Sequence, residues 1–516
     1  MNFLQNHKWV YFSIFCLFIV AFAPVISYRY FPTVDGPAHL YNAKIIREIL
    51  FGNSDFYSQY FVLNEEWIPN WSGHFIAVTV GLFLPLWAIE KVLILIIIAG
   101  LPLSILMLLR SLKIEISWNF LILLPFTYTL PLYLGFFNFM LAIPLSLVAL
   151  SWIISWNKRK SKVSWILTSV LITTVYFSHL MVFGILFIIS AIYILWTFRI
   201  ESWNLENGKL LLQKFLSFFP RFILAIGFYS GRSIDGYKGA SERLSLENLW
   251  KNLGEASSLV GLNAPIETPF TKLFLLGIVF LVVLVLFFRI NTRSFRLTSD
   301  FILIAAFLFL ILYFFIPDGI ASGGFIAIRL QLFFLLFLVI WLVAQKMSLS
   351  ISILTGLLGV IVSLSTLNYR LDVAKELDSD ARQMIAISEN IGSETVLLPL
   401  NYSTNWLHTN LSNYIGANRN VIVLDNYEAV FNVFPIKWRE SKRPDDKVGN
   451  FAQSLNPEIT IENYEKLTGV KIDHLSRWSF VNHEPDSLSS VTDSEINRLY
   501  EFGGNVEKIE LFNRRK

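Results

Sequence analysis

The stretch "KVLILIIIAGLPLSILMLL" (91–109) carries one charge, at its first residue, and no other strongly polar group. A run of this length matches the roughly 20 residues that one helix needs to cross the hydrocarbon core of a bilayer. Comparable runs recur near 118–134, 136–156, 163–178, 180–198, 211–230, 271–288, 300–317, 324–345 and 347–367. Their number excludes an ordinary soluble domain, as does a composition that is 54% hydrophobic and only 16% charged. The chain reads as a mainly α, polytopic membrane bundle. The first apolar segment, "HKWVYFSIFCLFIVAFAPVISY", is too long for a signal-peptide core, and Pro24 follows its A-F-A. It reads as a retained helix over about 9–28.

Basic residues orient the spans. The links "NKRKSK" (157–162) and "RINTRSFR" (289–296) carry four and three Lys or Arg, whereas the turns near 134–137, 178–180 and 317–323 carry none. The former read as cytoplasmic and the latter as external. Residues 72–110 must then hold an odd number of crossings, and they have room for one. With 91–109 as the span, 72–88 becomes an interfacial or re-entrant helix. The result is about 11 crossings (11 to 13), with the N-terminus inside and two long outer loops, 29–90 and 230–270. Within the first, His39, Asn42, Ala43, Ile46, Ile49 and Leu50 share one helical face, and Lys44, Arg47 and Glu48 another, which predicts a short helix on the membrane surface. The segment 244–262 has a similar pattern. No internal repeat is visible, against a transporter of inverted repeats.

Charge divides the chain in two. Residues 1–367 hold 25 Lys and Arg against 16 Asp and Glu, and residues 368–516 hold 17 against 22. The basic excess of the first part fits membrane topology rather than nucleic acid. The second part alternates amphipathic helices ("LDVAKELDSDARQMIAISENI", "TIENYEKLTG") with short apolar strands ("TVLLPL", "NVIVLDN"), which predicts a small external α/β domain over 368–516. Its polar aromatic stretch "NYSTNWLHTNLSNY", with Trp406 and His408, is either an acceptor-selecting surface or ordinary fold structure. The single cysteine, Cys16, excludes an intramolecular disulfide and a Cys-based metal site.

Several residues could carry chemistry. Asp35 stands just outside the first helix and before Pro37. It could act as a general base at the membrane boundary, or cap the helix that Pro37 opens by bonding the Ala38 N–H. Asp55, Glu65 and Glu66 share its loop, and Glu65 and Glu66 stand beside Trp67 and Trp71, a pairing that suits a sugar ring or simply an interfacial belt. His39, His74 and His179 all map near the outer face. With carboxylates they could hold a divalent metal, although their spacing fits no compact ligand motif. Arg329 lies inside an apolar span, where a guanidinium is costly, and a lipid phosphate would pair with it; the alternative is snorkelling to the interface. Arg221 is either within a span or on a cytoplasmic interfacial helix. Asn138 sits at a tight outer turn. No Walker loop, dinucleotide fingerprint or H-E-x-x-H occurs.

"PTVDGPAHLYNA", "GFFNFMLAIPLSLVAL", "YFSHLMVFGIL" and "GGFIAIRLQLF", with the order of helix, long acidic outer loop, many spans and external domain, resemble the bacterial GT-C class of integral-membrane glycosyltransferases. The resemblance covers roughly 9–367. It implies a polyprenyl-phosphate-linked sugar as donor, a glycan, lipid or protein acceptor outside the cytoplasm, and single displacement with inversion. It also implies that Asp35 is the base, Arg329 a lipid-phosphate contact, and His39 and His179 pocket residues. Many members carry a second acid beside the first. Here Gly36 occupies that place, so Glu65, Glu66 or Asp55 would have to substitute. The class includes metal-dependent and metal-independent enzymes. A non-enzymatic lipid-glycan translocator or envelope-assembly protein is the competing reading, and a glycan polymerase or ligase a third.

Overall fold

The computed structural model describes residues 7–52, 54–155, 162–200, 212–230, 243–262, 264–293, 297–319, 324–444, 460–480 and 487–515. Most of the basic link at 157–162, the end of the link at 289–296 and residues 231–242 of the second outer loop lie outside the described residues. The chain forms two units: Met1–Pro24 with Leu95–Leu371, and Val25–Ile94 with Asp372–Lys516. The division falls within helices Leu86–Ser111 and Leu367–Ser388.

The first unit is helical. Among the described residues of the whole chain, six helices are long and apolar enough to cross a bilayer, including Phe137–Ser155, Ala264–Asn291 and Ile326–Val343, and four shorter apolar helices accompany them. The protein is a multi-pass membrane protein. Many of these helices expose apolar side chains outward: Leu276 and Phe280 on Ala264–Asn291 are 68% and 66% exposed, as a lipid-facing surface requires. The segment read as a span over 118–134 is not a regular α-helix. It forms a 3₁₀ helix, Trp118–Thr127, and after a break the short helix Leu130–Tyr133. Pro125 removes one backbone donor, and helix Leu349–Ser365 comes close enough to stabilise the alternative. Any side chain at Gly356 or Gly359 would overlap the carbonyls of Trp118 and Leu121, so small residues permit this backbone approach. Ser352 Oγ then accepts from the Asn119 N–H at 2.9 Å. Arg221 lies on helix Phe219–Ser230 and donates to Thr173 Oγ1 and the Ser169 carbonyl of helix Lys162–Ser178. On the second outer loop the amphipathic stretch forms helix Leu246–Glu255, with Ser245 as its N-cap.

The second unit carries the sheet. Strands β1 (Phe61–Leu63), β2 (Thr395–Asn401), β3 (Val421–Val423), β4 (Ile436–Trp438), β5 (His474–Trp478), β6 (Tyr500–Val506) and β7 (Ile509–Arg514) make two sheets. One is the antiparallel pair β1–β4; the other has the order β3-β2-β5-β7-β6. Its β3, β2 and β5 run parallel, and β7 and β6 add antiparallel. Thus the first outer loop supplies a strand to the C-terminal region, with Val62 opposite Lys437. The run 72–88 yields helix Ser72–Gly81, ten residues, too short to cross; the apolar helix Leu86–Ser111 follows.

Helix Gly36–Phe51 is not a surface helix. Ala38, Tyr41, Ile45 and Ile46 are almost wholly buried, and helix Asn413–Asn418 packs on it. Any side chain at Gly416 would overlap the Tyr41 ring. The Tyr41 hydroxyl donates to the Val421 carbonyl and accepts from the Val423 N–H, both at 3.0 Å, and so satisfies β3 as a further strand would. Lys44, on the face predicted to be solvated, donates instead to the carbonyls of Gly416 and Arg419. Local periodicity reads such charges as solvated because their partners lie more than 370 residues away.

Candidate active site

Asp35 occupies the N-cap position of helix Gly36–Phe51 but makes no side-chain capping bond. Thr33 does that work: its Oγ1 accepts from the Gly36 N–H at 3.1 Å. The Asp35 carboxylate is therefore available elsewhere. Its Oδ1 accepts from Asn410 Nδ2 at 3.0 Å, and the Tyr427 hydroxyl also hydrogen-bonds to it. Burial, with the Asp35 and Glu428 charges, pushes the Tyr427 phenol well above its ordinary range, so it remains a donor. Two fixed donors favour the ionised carboxylate, and Asp35 itself is partly exposed.

One turn along the same face stands His39, then Asn42. Both meet the segment that follows β3. Asn42 and Asn426 exchange two amide hydrogen bonds, at 3.0 and 2.7 Å, and Asn42 Nδ2 also donates to Glu428 Oε2 at 2.8 Å. Glu428 is fully buried between two imidazoles: His39 Nδ1 lies 2.6 Å from Oε1, and His74 Nε2 lies 2.8 Å from Oε2. Burial opposes ionisation of Glu428, but the charges and hydrogen bonds of His39 and His74 outweigh it and hold the carboxyl down at about 2.

These three residues are also the donor set of a divalent-metal site, two nitrogens and a carboxylate with all ligand atoms within 4.8 Å of one another. The nitrogens, 3.5 Å apart, have the separation that two ligands of one metal show. The two carboxylate contacts are hydrogen-bond lengths, so metal binding would require each oxygen to draw back slightly. His74 Nδ1 is buried with no hydrogen-bond partner among the described residues, and so lacks the outer contact that usually steadies a metal-bound imidazole. The donor types fit a cation; without one, His39 and His74 both bond to Glu428.

Behind the Asp35 turn lies Glu90, in the first turns of helix Leu86–Ser111 and only 2% exposed. Its Oε1 accepts from the Thr33 N–H and from Thr33 Oγ1, each at 2.9 Å, and its Oε2 accepts from the Tyr414 hydroxyl at 2.6 Å. Glu90 thus holds the residue that caps the Asp35 helix. A side chain at Gly36 would overlap the Glu90 carboxylate; the glycine is required for this close approach.

Of the residues singled out from the sequence, the structure joins His39 and His74, and sets Asp35 at the start of the helix that carries His39. Glu65 and Glu66 are exposed, and Glu66 pairs with Lys437 at 3.1 Å. His179, Asn138 and Arg329 belong to the other unit. There the Arg329 guanidinium lies 4.5 Å from the Phe136 ring centre and 5.2 Å from that of Phe139, whose other contacts include the His179 ring at 5.3 Å. Asn138 is buried in the first turn of helix Phe137–Ser155. Sequence reasoning missed Glu428, Asn410, Tyr427 and Glu90. Only Glu90 had a local signal, a lone carboxylate in "LPLWAIEKVLILII" at the mouth of a span, where burial of charge demands a reason.

Solved structures supply the architecture's relatives. ArnT from Cupriavidus metallidurans, a structure bound to undecaprenyl phosphate, aligns over 98% of this chain and 98% of its own, with a TM-score of 0.52 and 10% identity. The fold is that of the GT-C membrane glycosyltransferases. The arabinofuranosyltransferase AftD from Mycobacteria aligns over 99% of this chain and 40% of its own, with a TM-score of 0.50 and 12% identity. At these identities the likeness concerns the fold alone. No protein-family model matches the sequence, and no curated protein does.

Proposed function

We propose that the chain is a membrane glycosyltransferase that moves a sugar from a polyprenyl-phosphate-linked donor to an acceptor hydroxyl outside the cytoplasm, with inversion. The carrying observation is the Asp35 carboxylate: partly exposed, freed from capping, and held by Asn410 and Tyr427. Such a group can take the acceptor's proton as the acceptor oxygen attacks the anomeric carbon. The bond from that carbon to the phosphate oxygen breaks, and lipid phosphate leaves with the electron pair. Asn410 and Tyr427 keep the carboxylate oriented and ionised until the transfer. Arg329 is proposed as a contact for the lipid phosphate, since guanidinium and phosphate pair bidentately. His39, His74 and Glu428 would hold a divalent cation where one is bound, which would add positive charge beside the Asp35 helix. In their hydrogen-bonded form they fix that helix to the segment after β3. The proposed setting is the plasma (inner) membrane, with the N-terminus cytoplasmic and the C-terminal domain, residues 368–516, outside.

The test is a transfer assay with the purified full chain in detergent, using a panel of polyprenyl-phosphate sugars and measuring lipid phosphate released in the presence of acceptor glycans. Asp35→Asn should lower the rate by about 10²–10³-fold, the scale of general-base catalysis, with an unchanged melting temperature. Full activity of Asp35→Asn would remove Asp35 from the mechanism. No release from any donor by the wild type would favour the translocator reading.

A further inference from the structure

The face of helix Gly36–Phe51 away from Asp35 lines a second polar feature. Leu40, Ala43, Lys44 and Arg47, with Ala77 and Val78 of helix Ser72–Gly81 and the turn Leu84–Leu86, enclose a cavity of about 250 Å³. That is slightly below the roughly 300 Å³ at which pockets for drug-sized ligands begin, a volume suited to a small polar group.

Its cations have donors to offer. Lys44 Nζ gives two hydrogen bonds, to the carbonyls of Gly416 and Arg419, and its third donor has no partner among the described residues. Arg47 donates to the Gly81 carbonyl at 2.9 Å and weakly to Glu48 at 3.4 Å. Three of its five N–H groups have no partner among the described residues. Glu48 is the one acid among the charges closest to Lys44, against the cations Arg47 and Arg419. Burial accordingly pushes the Lys44 ammonium down to about 7. The site is short of negative charge.

Leu84 lines the cavity, and the residues just before it in the chain are apolar and exposed. Leu82, Phe83 and Leu84 are 52%, 81% and 43% exposed, and the apolar helix that starts at Leu86 follows at once. Exposed bulky residues immediately before a membrane span belong to the bilayer boundary. A ligand there presents an anionic head to Lys44 and Arg47 and apolar chains to Phe83. We propose that the Lys44–Arg47 cavity is a binding site for a phosphate group, the headgroup of an anionic membrane lipid. This site uses none of the residues assigned to transfer, and stands whether or not the chain transfers sugars.

The experiment follows thermal unfolding of the detergent-purified full chain while titrating short-chain phosphatidylglycerol, short-chain phosphatidylcholine or inorganic phosphate. Phosphatidylglycerol should raise the midpoint saturably, and phosphatidylcholine should not. Arg47→Gln should weaken the apparent affinity at least tenfold. Ala43→Leu, which fills the cavity and leaves the cations in place, should do the same. Each variant is compared with its own ligand-free midpoint, so a change in basal stability does not obscure the result. Stabilisation by inorganic phosphate equal to that by phosphatidylglycerol, lost in both variants, would assign the site to free phosphate. Equal effects of the two lipids, or wild-type affinity in both variants, would overturn the proposal.

Discussion

Asn410 Nδ2 donates to Asp35 Oδ1 at 3.0 Å across 375 residues of chain. The opposite end of that amide, Asn410 Oδ1, is buried without a hydrogen-bond partner among the described residues, so the side chain is committed to the carboxylate. A donor to the ionised form lowers a carboxyl pKa; removing it raises that pKa. Asn410→Ala should therefore shift the acidic limb of the pH profile of kcat/KM upward and lower the rate at neutral pH by up to about tenfold. The profile, measured on donor release, distinguishes this from a general loss of folded protein. An unmoved limb would show that Asn410 does not tune Asp35.

Glu90 and Gly36 give a second prediction. Glu90→Ala removes the oxygen, Oε1, that accepts from both Thr33 donors, and so frees the residue that caps the Asp35 helix. We expect kcat to fall about 10- to 100-fold, since well-oriented groups tolerate little displacement. Faster amide exchange over residues 33–39, followed by mass spectrometry, should accompany it. Glu90→Gln retains an acceptor toward Thr33 and should recover most of both signals. Gly36→Ala should resemble Glu90→Ala, because the added methyl takes the space of the carboxylate. Equal exchange in Glu90→Ala and wild type would end this role for Glu90.

Much of this was legible in the sequence for a physical reason: the bilayer imposes length and polarity on each span, so apolar runs report helices and their order. The same constraint exposes Asp35, because a carboxylate just past a span and before Pro37 is conspicuous. It does not expose Glu428, which reaches His74 across 354 residues and stands in a segment without periodicity. The helix over 38–50 shows the limit in the other direction. Its pattern of charges is that of a surface helix, and only the carbonyls of Gly416, Arg419 and Gly81 reveal that Lys44 and Arg47 face protein. The 3₁₀ segment Trp118–Thr127 is hidden likewise, since its form depends on glycines in a helix more than 200 residues later.

The His39–His74–Glu428 cluster predicts a metal outcome that needs no activity. If the cluster binds a cation, the full chain titrated with Co(II) should develop visible d–d absorption at one equivalent. Zn(II) should displace it, and Glu428→Gln should abolish it. Absence of absorption in the wild type at neutral pH would identify the cluster as hydrogen bonds alone.

Acid stability follows from the same carboxylate. Glu428 has an ordinary value of 4.5 and is held at about 2 in the folded chain. A folded-state pKa below the unfolded one contributes stability above the unfolded value, and that contribution disappears as pH falls through the folded one. The melting temperature of the wild type should thus decline between about pH 4.5 and 2 through this group. Glu428→Gln removes the titration and leaves His39 and His74 facing a neutral amide. It should lower the melting temperature at pH 7, at a cost of about 1–3 kcal/mol for the disrupted buried bonds, and should flatten the acid decline. Parallel pH profiles for variant and wild type would mean that another carboxylate governs the acid transition.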